Sequence, residues 1–344
     1  MASMFSIMSF SKFPGATLLL IASLQVSAAA ADKISTKTSA ECAGINFTST
    51  DETVRIEISG KLFTEYHFKG APHVYFYPLI GPGGVALTRN APMKEAEGEE
   101  RDHPHHRSLW FSHGEVNHVD FWSETAKAGK IEHDGKLSVS CHGESGVIRS
   151  GHRWVAPGGK IICTDETTFR VWPDRNVRTF DIEVALKAPA DEDVILGDTK
   201  EGTMGIRLAE SMRLKPNKFN AGKPTGHIVQ STGVRDDDTW GKRAEWCDYY
   251  GPVDGKIVGV AIFDHPENPR HPTWWHVRDY GLFAANPFGV HDFEKKPEGA
   301  GNLTIPRGKT MIFRYRFVLH EGDEKQAGIA DLYQKYATEK IKSK

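Results

Sequence analysis

The sequence predicts an all-β protein: a large antiparallel β-sandwich of the supersandwich type, closed by one C-terminal helix. Three observations predict it. Apolar residues recur at every second position through much of the chain, glycine- and proline-containing turns separate these runs at short intervals, and a helical period appears only near the C-terminus.

The N-terminal segment has a different pattern. Lys12 precedes the apolar run Ala16 to Ala22, and Ser27-Ala28-Ala29-Ala30-Ala31 offers the small residues of a cleavage site. Residues 1–31 are therefore expected to be a signal peptide and the mature chain to be exported, periplasmic or extracellular. Ser23 and Gln25 interrupt the end of this run, and no other segment has about 18 uninterrupted apolar residues, so no membrane span is expected in the mature protein. Residues 32–50 are small and polar and are expected to form a flexible lead-in. Residues 51–344 are expected to form a single domain, since no linker or fixed-period repeat divides them.

Within that domain Val54-Arg55-Ile56-Glu57-Ile58 alternates as a strand does. Lys160–Val171 and Val177–Leu186 read as two more strands, separated by the turn-forming Trp172-Pro173-Asp174-Arg175-Asn176. Asp254-Gly255, between Tyr249-Tyr250 and Ile257-Val258-Gly259-Val260, predicts a hairpin. Met311, Phe313, Tyr315, Phe317 and Leu319 form a late strand face, with Arg314 and Arg316 on the other side. Ile329, Leu332, Tyr333 and Tyr336 have helical spacing, with Asp323 as the expected N-cap. Of the four cysteines, none forms a C-x-x-C pair, which argues against a structural zinc site. Cys141 and Cys163 lie on neighbouring predicted strands, and either a disulfide between them or isolated buried thiols fits.

Composition excludes several function classes. Forty-three basic and 45 acidic residues give a net charge of −2, so no electrostatic capture of nucleic acid or an anionic membrane is expected. There is no G-x-S-x-G elbow, Walker A loop or G-x-G-x-x-G fingerprint. Sixteen histidines and eight tryptophans are informative because they concentrate in a few segments.

The densest segment runs from Asp102 to Trp122, where five histidines fall within the sixteen positions His103 to His118. Imidazole titrates near neutrality, at about 6.5, so it serves as acid, base or metal ligand. His103 and His105 are candidate ligands for a divalent transition metal, although neither zincin nor cupin spacing is present. His106 and His113 are candidate catalytic groups. Arg107, Asn117 and Trp122 are candidate substrate contacts. The alternative is a set of histidines each hydrogen-bonded to a backbone carbonyl.

A second segment, Gly197 to Glu210, mixes charges of both signs with glycines. Arg207 sits in the apolar strand Ile206-Arg207-Leu208-Ala209, where an inward guanidinium needs a carboxylate or an anionic ligand. Lys200, Glu201 and Arg207 are candidate binding residues and Glu210 a candidate general base; a structural ion pair is the competing account. A third segment, Asp264 to Phe288, places Trp274 and Trp275 beside His276, Arg278 and Asn286. Trp275 is a candidate sugar-stacking platform, Arg278 and Asn286 candidate hydroxyl contacts, and His276 a further acid–base candidate. The same tryptophans would also suit a packed core.

Three pieces together resemble the PmoA-like family of exported bacterial proteins: His103-Pro104-His105-His106-Arg107-Ser108-Leu109-Trp110, Gly197-Asp198-Thr199-Lys200-Glu201-Gly202, and His271-Pro272 through Asn286-Pro287-Phe288-Gly289. The resemblance extends from about residue 60 onward. It implies a fold similar to the galactose-mutarotase-like supersandwich and a setting in sugar processing. If mutarotase chemistry carries over, His106 or His113 acts as acid and Glu210 as base. The expected function is thus an exported carbohydrate-active enzyme, a hydrolase, lyase or epimerase on a sugar or oxidised sugar. A metal-dependent oxygenase, as the family's methane-oxygenase label implies, and a non-catalytic sugar-binding protein are the alternatives. A small-molecule or oligosaccharide ligand is expected in each sugar-directed case.

Overall fold

The period-two runs become the strands of two large antiparallel sheets. The computed structural model describes residues 39–173, 177–223 and 225–339. The expected signal peptide, the first part of the lead-in and the turn centre Asp174-Arg175-Asn176 lie outside the described residues. In chain order the strands are β1 (Ser39–Cys42), β2 (Ile45–Ser49), β3 (Thr53–Ile58), β4 (Lys61–His67), β5 (Tyr75–Leu79), β6 (Leu109–His113), β7 (Lys130–His142), β8 (Ser145–Val155), β9 (Ile161–Val171) and β10 (Arg178–Lys187). They continue with β11 (Val194–Leu196), β12 (Gly202–Arg207), β13 (His227–Gln230), β14 (Trp246–Val253), β15 (Lys256–Asp264), β16 (Trp274–Val277), β17 (Leu282–Asn286), β18 (Leu303–Ile305) and β19 (Thr310–Glu321). Among the described residues there are also two short α-helices, α1 (Val290–Glu294) and α2 (Ile329–Thr338), and three single-turn 3-10 helices.

Among the described residues one sheet has nine strands in the order β1-β2-β3-β4-β5-β6-β12-β17-β16, and the other has eight, β13-β14-β15-β19-β10-β9-β8-β7. β11 and β18 form a separate pair. Alternation decides the packing: β10 buries every second residue, and Phe180 faces the core with Phe63 and Phe317 at 5.7 Å and 4.8 Å between ring centroids. The Asp254-Gly255 turn closes β14 onto β15, with φ of 48° and 78° at the two residues, as a tight hairpin of this hand requires.

Three expectations need correction. Residues 39–49, expected in a flexible lead-in, form β1 and β2, because Ile45 and Phe47 are buried in the main core. The disulfide joins Cys42 to Cys141, not Cys141 to Cys163, and Cys163 is a buried free thiol. The Cys141 side chain lies over β1, while Cys163, on the inward face of β9, packs into the core. Asp323 does not cap the C-terminal helix. Its carboxylate accepts the N–H groups of Lys325 and Gln326 in a preceding turn, and Gly328, with φ of 65°, occupies the N-cap. No helix among the described residues is long and apolar enough to cross a membrane.

The run β6-β12-β17-β16 positions the site. Leu109, Phe111, Met204, Ile206, Trp275 and Val277 pack on the core face of the sheet, so the alternate residues Trp110, Gly205, Arg207 and His276 lie on the opposite face. A small second cluster of Tyr75, Trp110, Trp122, Leu282 and Ala284 covers part of that face.

Candidate functional site

On this outer face the three chemistry-bearing segments converge. A cavity of about 610 Å³ is lined by His103, His105, Asp120 and Trp122 from the first, by Thr199, Lys200 and Glu201 from the second, and by His276, Arg278 and Tyr280 from the third. The volume is that of a small-molecule site. β6 and β12 bring the first two segments together by pairing His113 with Gly202. The bare Cα of Gly205 lets Trp110 and Trp122 lie close over β12; a Cβ there would stand 3.0–3.1 Å from both indoles.

The wall nearest β12 is a stack of rings over paired charges. Trp110, His106, His103 and Tyr280 follow one another at 5.3, 4.7 and 5.2 Å, within 22° of parallel. Arg207 lies beneath, 4.8 Å from the Tyr280 ring. Its guanidinium donates to both carboxylate oxygens of Asp102 and to Nδ1 of His106. Arg89 donates to Asp102 as well. The other Asp102 oxygen accepts Nδ1–H of His103 at 2.6 Å. Burial alone raises the Asp102 carboxyl, but the His103 hydrogen bond and the Arg207 and Arg89 charges outweigh it and hold the group well below the usual carboxylate range. An ionised Asp102 therefore fixes the orientation of the His103 ring.

The remaining lining groups have distinct protonation. Burial, then the charge of His103, presses His105 down to about 4. Burial presses His276 down to about 3. Its Nδ1–H donates to the Lys200 carbonyl at 2.5 Å, which leaves Nε2 with the free lone pair. Both rings are neutral at neutral pH. Glu201 is raised, first by burial and further by Asp292, against the lowering charges of Lys200, His103 and Arg278. Lys200 stands 3.8 Å from Glu201 and 3.5 Å from Asp292. Glu201, a raised carboxyl, and His103, an imidazole oriented by Asp102, thus line the same cavity.

Of the expected site residues, His103, His105, Trp122, Lys200, Glu201, His276 and Arg278 line the cavity. The others do not. His106 is buried in the ring stack, neutral because burial and then His105 and Arg207 lower it, and its Nε2 has no partner among the described residues. His113 faces the core, donates to the Gly197 carbonyl at 2.8 Å and packs on Phe288. Arg107 forms a two-point ion pair with Glu124. Asn117 clips the chain at Asp193 and Ile195. Glu210 lies below the wall, accepting from Arg213 and Asn217, where burial raises it. Trp275 is a core residue that donates to the Ala244 carbonyl, so it is no stacking platform. Asn286 positions the site from beneath: its amide donates to the carbonyls of Thr199 and Lys200, and its oxygen accepts from Phe288 and Gly289.

Tyr280, Asp120 and Thr199 were not among the expected contacts. Tyr280 carried a signal, as an aromatic residue two positions from Arg278 in the same loop. Asp120 is committed to its own turn, accepting from Trp122 N, Ser123 N and the Ser123 hydroxyl. The expected metal pair does not suit an ion. The His103 and His105 rings stand edge to face 5.8 Å apart, His103 gives Nδ1 to Asp102, and no group of three His, Cys, Asp or Glu side chains among the described residues is arranged to hold one.

Residues 53–334 match the sequence model of a family described as being of unknown function, DUF6807. That description names no activity, methane oxidation included. No curated protein sequence matches the chain. Among solved structures it is similar to a glycoside hydrolase family 97 enzyme in complex with acarbose from Pseudoalteromonas sp. strain K8, at 10% identity and TM-score 0.33, covering 83% of this chain and 35% of that one. It is also similar to the GH36 alpha-galactosidase of Geobacillus stearothermophilus, at 8% identity and TM-score 0.34, covering 83% and 40%. A galactose mutarotase related enzyme from Lactobacillus acidophilus is similar at 12% identity and TM-score 0.27, covering 82% and 97%. The chain thus spans well under half the length of the two glycoside hydrolases. These distant likenesses assign no activity.

Proposed function

We propose a function on the premise that this chain belongs to the DUF6807 family, whose function is unknown: it is an exported carbohydrate-active enzyme that moves protons on a sugar or oxidised sugar. The observation that carries this is the convergence of three distant segments on one cavity that combines aromatic faces, neutral imidazoles and a raised carboxyl. Tyr280 offers aromatic surface to a sugar ring, backed by the buried Trp122, and His105 and His276 hydrogen-bond its hydroxyls as neutral donors or acceptors. Glu201 takes a proton from the substrate. His103, held by Asp102, delivers one to an oxygen that is leaving or closing a ring.

The lining favours a lyase or epimerase over a hydrolase. Most glycoside hydrolases use two carboxylates across the scissile bond. Here Glu201 is the lining carboxylate whose oxygens accept no hydrogen bond among the described residues, with Lys200 3.8 Å away, while Asp120 spends its oxygens on Trp122 and Ser123. One base and one imidazole acid suffice for ring opening or elimination. The test is to incubate the purified full chain with free sugars, glycosides and oxidised sugars and to follow anomeric exchange, double-bond formation and hydrolysis by NMR. Turnover that is lost in Glu201→Gln and His103→Ala supports the reading. Binding without any turnover would make the protein a sugar-binding module instead.

A further inference from the structure

We infer that the ligand of this cavity is anionic, a sugar acid whose carboxylate seats on Arg278; this rests on the sugar-directed reading above. The arginines beneath the cavity wall are all matched to carboxylates: Arg89 and Arg207 to Asp102, Arg213 to Glu100 and Glu210, Arg107 to Glu124. Arg278 is different. It lines the cavity, yet among the described residues its guanidinium has no ion pair and no hydrogen bond. It is held only by the faces of Trp240 and Tyr280, at 5.8 and 5.7 Å. The two rings flank the charge as cation–π neighbours and leave the guanidinium N–H donors for a ligand.

Arg278 feels the charge of Glu201 without forming an ion pair with it, and a half-buried guanidinium that no carboxylate contacts directly is costly to maintain unless a ligand supplies that contact. The neighbours reinforce the sign. His276 is neutral, and Lys200, which stands 3.8 Å from Glu201 and 3.5 Å from Asp292, is a second cation in the lining. Glu201 is the lining carboxylate closest to these charges, and it is already shared between Lys200 and its own place as base. A planar, bidentate guanidinium matches a carboxylate better than it matches a hydroxyl. Set beside Glu201, a carboxylate on Arg278 places the carbon next to it where its proton is most acidic, because the cation stabilises the enediolate that forms when that proton leaves.

The test is calorimetric titration of the full chain at low salt with D-glucuronate and D-galacturonate, with D-glucose and D-galactose, and with succinate as a carboxylate that is not a sugar. The expected result is that the uronates bind roughly 10- to 100-fold more tightly than the neutral sugars, as a charge-assisted pair predicts. Arg278→Gln should abolish that difference, and Arg278→Lys should restore only part of it. Thermal unfolding of both variants controls for folding. Neutral sugars binding as well as the uronates, unaffected by Arg278→Gln, would overturn the anionic seat and leave the sugar reading standing. Succinate binding through Arg278 with no sugar bound would overturn the sugar reading and keep an anion seat of another class. Binding of none of these probes would overturn both.

Discussion

Asp102 with His103 at the cavity and Asp165 with His152 in the core are the same two side chains, joined at 2.6 Å and 2.8 Å, in two different surroundings. In the core pair the far nitrogen of His152 is enclosed by the Tyr66 hydroxyl at 2.6 Å and the Ser150 hydroxyl at 3.0 Å. Asp165 also accepts from Trp154 and Thr167. Ser150, His152 and Asp165 even have the order of contacts of a hydrolytic triad, yet Ser150 is 2% exposed and His152 1%. Every polar atom there has a partner inside the sandwich, which makes the network a pin between the sheets. His103, by contrast, has one nitrogen committed and its ring at the cavity edge. A histidine–carboxylate pair becomes chemistry only where one side of it is left open.

The comparison can be broken in four ways, from the largest effect down. Glu201→Gln should lower kcat by about 100- to 10,000-fold, the usual worth of a general base, with the thermal midpoint almost unchanged. Asp102→Asn should cost both activity and about 3 kcal/mol of stability in chemical denaturation, because it removes the carboxylate between two buried guanidiniums. His152→Ala should cost about 1–3 kcal/mol by the same measurement, since it leaves the buried Asp165 and Tyr66 groups short of a partner, while turnover per folded molecule stays at the wild-type level.

The smallest effect is on pH. Glu201 is raised in the folded state, so the rate should fall as pH drops through a value above the ordinary carboxylate one. The same shift means that Glu201 contributes stability below its unfolded pKa and loses that contribution as pH rises through the folded one. Glu201→Gln should therefore gain slightly in thermal midpoint relative to wild type at neutral pH, and the gain should vanish in acid.

Much of the architecture was legible in the sequence because alternation is a direct consequence of strand geometry: β3, β9, β10 and β19 fall where the apolar periods lie. β1 and β2 were not, since Ser39–Ser49 is short and polar except for Ile45 and Phe47, and their place depends on Cys141 far along the chain. The three segments of the site were also legible as concentrations of histidine, tryptophan and charge. Which residues of each segment face the cavity was not. Strand parity supplied part of that answer: His113 shares its face with Leu109 and Phe111, and Trp275 shares its face with Val277, so both point to the core. For the loop residues Arg107 and Asn117 no period exists. Their partners, Glu124 and Asp193, are set by tertiary contact alone.

The central claim is that the open pair, with Glu201 beside it, does the chemistry and the closed network does not. Side-by-side turnover of Glu201→Gln and Ser150→Ala on the best substrate of the sugar panel tests it most directly. The account predicts at least a hundredfold loss in Glu201→Gln and wild-type turnover per folded molecule in Ser150→Ala. Turnover that survives Glu201→Gln and disappears in a folded Ser150→Ala would contradict it.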